Sequence, residues 1–299
     1  MTLEVLTVGR VSVDLYPEQT GVTLAEVRTF RKMLGGSPTN VAVAAARLGR
    51  RTAVVTKVGA DGFGEYIRAA LGEFGVDASF VGTDPVLRTP LAFCEIHPPD
   101  DFPLLFYRQP TAPDLQLVDA DLAAAPVDDV PLLWVTGTGL SEEPSRSTTL
   151  GALRRRAGRA HTVFDLDFRP MLWHDDPTPL YREAAALATV LVGNREEWAV
   201  LGDVPANVEL AIEKRGPEGV RGSRSGEVVD VPPIAVEVVN GLGAGDAFGG
   251  ALCHALLAGW DLERTLRFAN AAGALVASRL GCADEMPTAD EVEELLCAA

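Results

Sequence analysis

The 299-residue chain is short of the residues that staple, ligate or anchor. It has four cysteines, Cys94, Cys253, Cys282 and Cys297, and no two of them have the spacing of a zinc knuckle or a redox CxxC pair. Its four histidines, His97, His161, His174 and His254, form no HExxH motif. All of these therefore read as structural or surface residues. No apolar run is long enough to cross a bilayer. The opening MTLEVLTVG lacks a basic segment followed by a long apolar core, so it reads as a strand and not as a secretory signal. Positive charge is scarce too: 26 Lys and Arg face 42 Asp and Glu, a formal charge of −16. Such a chain has no basic face for nucleic acid or an anionic membrane. The expectation is a reduced, soluble, cytoplasmic protein whose partners are small molecules. An anionic substrate stays open, because a few arginines can reverse the field inside a cleft.

What the chain does have is apolar residues, 47% of the total, enough for a large core. LEVLTVG (3–9), TAVVTKVG (52–59), PLLWVTG (131–137), HTVFDLD (161–167) and TVLVGN (189–194) suit strands. Between them, SPTNVAVAAARLG (37–49) reads as a helix with Ser37 as cap, Pro38 in its first turn and Gly49 beyond its end. DGFGEYIRAALGEFG (61–75) carries its apolar residues on one face, and further helices fall at roughly 144–158 and 178–187. This alternation predicts an α/β fold, a doubly wound, mostly parallel sheet flanked by helices. Two stretches, 10–34 and 88–109, break the rhythm with short alternating strands and turns. They are read as one small sheet appended to a single domain over 1–299. The C-terminal part is mostly helical (244–258, 261–279 and 288–297).

One segment carries chemistry on its face. In VVNGLGAGDAFGGAL (238–252) a glycine-rich loop runs into a helix, and a lone Asp246 falls on the first turn. A helix N-terminus offers unpaired N–H groups and partial positive charge, and glycines let an anion come close. The N–H groups of Gly243, Ala244 and Gly245 can form such an anion hole. A carboxylate beside a bound anion makes sense if a neutral hydroxyl lies between them, its proton passing to Asp246 while the hole steadies a phosphoryl group in transfer. Taken alone, the motif is equally an acid at a helix start after a turn. The spacing fits neither the Walker GxxxxGK[ST] pattern nor the dinucleotide GxGxxG turn.

Four motifs in order extend this reading. NGLGAGDAFGGAL resembles the C-terminal signature of the ribokinase-like (PfkB) carbohydrate kinases, and GGSPTNVAVAAARLG (35–49) resembles their N-terminal signature. NREE (194–197) is similar to the family's NxxE motif, and KRGPEG (214–219) to its nucleotide-side GxxG loop. The resemblance implies a ribokinase-like fold in which stretches 10–34 and 88–109 form a lid over the sugar. It implies that Asp246 is the catalytic base and that Gly243, Ala244 and Gly245 line the anion hole. Gly35 and Gly36 would let the backbone approach the sugar, with Asn40 and Asp14 holding its hydroxyls. On the nucleotide side it implies Asn194, Lys214, Gly216, Gly219 and Asn270, with ATP as donor and Mg²⁺ held by Glu197 through water. For Asn194 and Glu197 the alternative is a strand end followed by a first-turn acid favoured by the helix dipole.

Within the family, GRVSVDLYPEQ, FCEIHPPDDFPLLFYRQPTAPDL and KRGPEGV most resemble the branch acting on 5-dehydro-2-deoxygluconate in myo-inositol catabolism. Ketodeoxygluconate kinases and other sugar kinases of this fold remain alternatives, and a non-catalytic sugar or nucleotide sensor is the competing class. By the same resemblance Arg108 and Arg169 would hold a substrate carboxylate, for which a guanidinium fork is suited. Asn240 stands where many members have an aspartate that helps hold a monovalent cation, so potassium dependence is in doubt. Lid strands of this fold often pair between subunits, which makes a homodimer an expectation.

Overall fold

The structure is a computed structural model that describes residues 2–159 and 161–298. In chain order its first half contains β1 (Val5–Val8), β2 (Ser12–Pro17), β3 (Phe30–Gly35), α1 (Ser37–Arg47), β4 (Thr52–Gly59), α2 (Gly62–Glu73), β5 (Val76–Asp77), β6 (Val81–Asp84), β7 (Leu91–Cys94) and β8 (Leu104–Tyr107). There follow α3 (Asp119–Leu122), β9 (Leu132–Thr136), α4 (Ser145–Arg156), β10 (Thr162–Asp165), α5 (Thr178–Leu187), β11 (Val190–Asn194), α6 (Arg195–Leu201) and β12 (Leu210–Lys214). The chain ends through β13 (Val220–Arg224), β14 (Glu227–Val231), α7 (Ala244–Ala258), α8 (Leu262–Ala277) and α9 (Ala289–Ala298).

Ten strands make the large sheet, in the order β14-β13-β12-β11-β10-β9-β1-β4-β5, with β6 pairing β4. Its ladders are parallel except β12–β13 and β13–β14, a meander at one edge. The interior strands are mostly apolar, and their alternation sorts these residues onto two cores. Val5, Val54, Trp134, Val163 and Val192 pack with Val41, Ala44, Phe248, Leu252 and Phe268 of α1, α7 and α8. Leu6, Val55, Val135, Phe164 and Leu191 point the other way, onto Leu150, Leu153, Tyr181 and Leu201 of α4, α5 and α6. The two glycines of FGGAL serve this packing. A Cβ on Gly250 would lie 2.3 Å from that of Ala44, so the absence of a side chain lets α7 close onto α1.

The irregular stretches form the separate four-stranded sheet β3-β2-β7-β8, and PPDDFP turns between β7 and β8. β2 leaves the C-terminal end of β1 after three residues. Asp165, Asn194 and Lys214 are the last residues of β10, β11 and β12. The small sheet and these side chains thus share the C-terminal edge of the parallel strands, where open α/β sheets bind ligands.

One local expectation differs. Ser37 does not cap α1; Gly36 holds that place with φ 97°, and no side chain caps the helix. The serine hydroxyl is used elsewhere.

Candidate active site

The site is built around α7. Gly243 takes a left-handed conformation, φ 84°, and ends the loop, and no side chain caps the helix. A Cβ there would lie 2.3 Å from the sulfur of Cys282, so the turn needs glycine on both counts. Among the described residues the N–H groups of Gly243, Ala244 and Gly245 have no hydrogen-bond partner. They open on a cleft of about 730 Å³ lined by Ser37, Asp165, Asp167, Arg169, Asn194, Glu197, Lys214, Gly216, Gly219, Asp246 and Asn270. Every residue expected on the nucleotide side, together with Asp246 and the anion loop, therefore faces one space. The tip of the β7–β8 hairpin reaches it through Pro99 and Asp100.

Asp246 is held by two donors from α1. Ser37 Oγ donates to Oδ1 at 2.7 Å and Asn40 Nδ2 donates to Oδ2 at 2.8 Å. The Cys282 thiol donates to Oδ2 at 3.7 Å. Burial raises the pKa of Asp246 from the ordinary carboxylate value, while Asn40 and Ser37 pull it back. The result is a positioned carboxylate, more basic than a surface aspartate. Asn40, expected to hold a sugar hydroxyl, gives one amide N–H to Asp246, and its buried Oδ1 has no partner among the described residues.

Asp14 lies beside this group. It accepts from Ser12 Oγ at 2.6 Å, and burial pushes its pKa up to about 6, with Ser12 and Arg10 opposing and Asp246 adding. Gly35 and Gly36 permit a close approach within the protein. A Cβ on Gly35 would fall 2.1 Å from the Asp14 carboxyl carbon, and one on Gly36 2.5 Å from the Arg10 carbonyl oxygen.

On the other side of the cleft the NREE segment forms a capping box. Asn194 Oδ1 accepts from Glu197 N at 2.9 Å, and Glu197 Oε2 accepts from Asn194 N at 2.7 Å. The remaining oxygen, Oε1, lies 3.5 Å from Arg169. Lys214 Nζ lies 3.9 Å from Asp165 Oδ1, and a Cβ on Gly245 would sit 3.3 Å from it, so the ammonium reaches the anion loop. Desolvation lowers the Lys214 pKa, but Asp165, Glu197, Asp246 and Asp167 together outweigh it and raise it. Burial pushes Asp165 up to about 8 despite the lysine, with Asp167, Glu197 and Asp246 adding. Gly216 and Gly219, at φ 53° and 85°, turn the chain between β12 and β13, and Asn270 donates to the Pro232 carbonyl at 3.0 Å.

The two specificity arginines pair with different carboxylates. Arg169 is engaged by Asp167 at 2.9 Å and by Glu197, and its pKa is raised, chiefly by Asp167. Arg108 is buried against Asp114 at 2.6 Å. Its pKa is lowered by burial, with Asp114 opposing and Arg10 adding. Sequence reasoning missed Ser37, Asp165, Asp167, Cys282 and Arg10. Asp165 and Asp167 flank Leu166 in the DLDFR segment, so two carboxylates at a strand end were a usable signal. Cys282 lies 36 residues from Asp246, and nothing local marks it.

Asn240 is fully buried and bonded at both ends of its amide. Its Nδ2 donates to the Leu280 carbonyl at 2.7 Å, and its Oδ1 accepts from Leu242 N at 2.9 Å.

The chain is similar to known proteins over nearly its whole length. The profile described as pfkB family carbohydrate kinase matches residues 2–289. The chain is 30% identical over 311 residues to the 5-dehydro-2-deoxygluconokinase of Bacillus subtilis, covering 98% of this chain and 95% of that one. Its fold is similar to an uncharacterized sugar kinase from Pyrococcus horikoshii in complex with ATP (TM-score 0.85, 29% identity, 97% of this chain and 99% of that one). It is also similar to a fructokinase with bound ATP from Xylella fastidiosa (TM-score 0.87, 28% identity, 99% and 98%).

Proposed function

The chain belongs to the pfkB family of carbohydrate kinases, and from that premise we propose that it transfers the γ-phosphoryl group of ATP to the terminal hydroxyl of a keto-deoxy sugar acid. The acceptor is 5-dehydro-2-deoxygluconate, the product its 6-phosphate, and the setting myo-inositol catabolism in the cytoplasm. The observation that carries the reaction is Asp246, clamped by Ser37 and Asn40 at the uncapped start of α7. The name shared by relatives at about 30% identity over nearly the whole chain supports the acceptor.

In this reading Asp246 accepts the proton of the acceptor hydroxyl as the oxygen attacks phosphorus. The N–H groups of Gly243, Ala244 and Gly245 take the charge that builds on the transferring group, and Lys214 adds a cation beside them. Asp14 orients the sugar. Asn194, Gly216, Gly219 and Asn270 shape the nucleotide side.

Mg²⁺ fits this cleft through water. No group of three His, Cys, Asp or Glu forms a cage among the described residues, but Glu197 lines the cleft and Asp165 Oδ1 is a buried acceptor without a hydrogen-bond partner. Such carboxylates suit a hydrated ion that completes its shell with phosphate oxygens. Bound there, it supplies neutralisation of phosphate charge.

A second copy of the chain is proposed to cover the outer face of the small sheet. There Phe93 meets Phe30 and Tyr107 edge to face, with ring centroids 5.4 and 5.3 Å apart, and Leu105 and Tyr107 are exposed.

The test is ADP release measured against a panel of six-carbon sugar acids, fructose and ribose. Turnover highest on 5-dehydro-2-deoxygluconate supports the acceptor; a preference for a neutral sugar refutes it while leaving the kinase reaction in place.

A further inference from the structure

We infer that Arg10, paired with Arg108, forms the subsite that receives the acceptor's carboxylate; the inference rests on the sugar-acid reading above. Arg10 and Arg108 are both more than nine-tenths buried, at 8% and 6% exposure. The Arg10 guanidinium sits over the ring of Phe106, two residues before Arg108 on the same segment, and its field is felt at Arg108. Asp114 brings them together: its Oδ1 accepts from Arg108 Nη2 at 2.6 Å and its Oδ2 accepts from Val11 N, next to Arg10, at 2.9 Å. The Arg10 backbone is fixed as well. Thr39 Oγ1 donates to its carbonyl at 3.0 Å, and Gly36 packs against it.

These partners leave donors over. Among the described residues, Arg10 Nε and Arg108 Nε and Nη1 are buried without a hydrogen-bond partner. The nearest acid to the Arg10 head is Asp167 at 3.8 Å, beyond hydrogen-bond reach. Asp167 is already engaged by Arg169 at 2.9 Å and by Thr138 Oγ1 at 3.0 Å. Two adjacent buried cations with unmet N–H groups are costly in an empty site and favourable around an anion. The Arg10 head borders the acceptor's cleft, since Asp167, 3.8 Å from it, lines that space together with Asp246. A planar carboxylate matches guanidinium donors. Arg169, committed to Asp167 and Glu197, is left to the phosphate side.

The experiment compares kcat/KM for 5-dehydro-2-deoxygluconate and for fructose in the wild type, R10M and R10K. Methionine keeps length and apolar contact with Phe106, whose ring lies 5.6 Å from the guanidinium, and removes every donor. The acid-to-fructose ratio is expected to fall roughly ten- to a hundredfold in R10M, the scale of a charge-assisted contact. R10M combined with R108M is expected to fall by less than the product of the single effects, because both hold one group. If R10M does not fold, R10K decides: it keeps charge but loses the fork, and a three- to tenfold lower ratio is expected. A ratio equal to that of the wild type, in whichever of the two folds, overturns the arginine pair. A wild type that does not prefer the acid refutes the acceptor reading and the pair with it, whereas acid preference that survives in the variants refutes the pair alone.

Discussion

Replacing Asp246 by Asn removes one charge and almost no volume, and the surroundings are built to tolerate it. The Ser37 hydroxyl that donates to Oδ1 can rotate to accept. The Asn40 amide that donates to Oδ2 can turn its buried, unpartnered Oδ1 toward the new amide. Burial already disfavours the ionised carboxylate, as its raised pKa records, so the variant should be at least as stable as the wild type at pH 7. Catalysis should suffer: losing a positioned general base costs about 10²–10⁴ in rate, or roughly 3–5 kcal/mol in the barrier. The assay is kcat by coupled ADP release beside the thermal midpoint and the Kd for ATP. A folded D246N within tenfold of wild-type kcat refutes the base assignment. The pH profile gives a second reading. Asp246 acts when ionised, so activity falls on the acid side with a limb above the ordinary carboxylate range. Ser37 favours the ionised form; S37A therefore raises the Asp246 pKa and moves that limb to higher pH. A limb that stays in place, or moves down, contradicts the hydrogen-bond account.

Glu197→Gln keeps an acceptor for the Asn194 N–H, so folding should change by less than about 1 kcal/mol, while the Mg²⁺ concentration for half-maximal rate rises; an unchanged Mg²⁺ titration leaves Glu197 only its capping role. Because both polar ends of the Asn240 amide are occupied, exchanging tetramethylammonium for potassium at fixed ionic strength should alter kcat less than twofold, and a large activation would contradict this. Asp14 has its folded pKa raised to about 6, so its contribution to stability is full below about pH 4 and is lost as pH rises through 6. D14N should therefore gain on the wild type between about pH 4 and pH 7, by up to about 3 kcal/mol; urea midpoints whose difference does not widen would refute it. Gly243→Ala meets both a left-handed φ and the Cys282 sulfur, and should lose activity together with several degrees of thermal midpoint; a fully active, stable variant would show that the loop can relax.

Much of this molecule could be read from local pattern. The apolar runs at 52–59 and 189–194 became β4 and β11, and the helices expected at 178–187 and 244–258 became α5 and α7. A strand buried on both faces needs an unbroken apolar run, and a helix needs one face and a stop; both are properties of neighbours along the chain. The glycine loop before Asp246 and the Asn194–Glu197 box were legible for the same reason, since each is a helix N-terminus satisfied or left open within a few residues.

Sequence alone therefore determined the βαβ winding, the small appended sheet and the acid at the start of α7. Only the tertiary structure decided what that acid touches. Its donors, Ser37 and Asn40, stand 209 and 206 residues away, and Ser37 gives up capping α1 to reach it. The same holds for the arginines. Asp114 reaches Val11 across 103 residues and ties the Arg10 segment to Arg108, while Asp167 and Glu197 claim Arg169. Such pairings follow from how the sheet is wound and which side chains burial forces to find partners, and no periodicity in the chain encodes them.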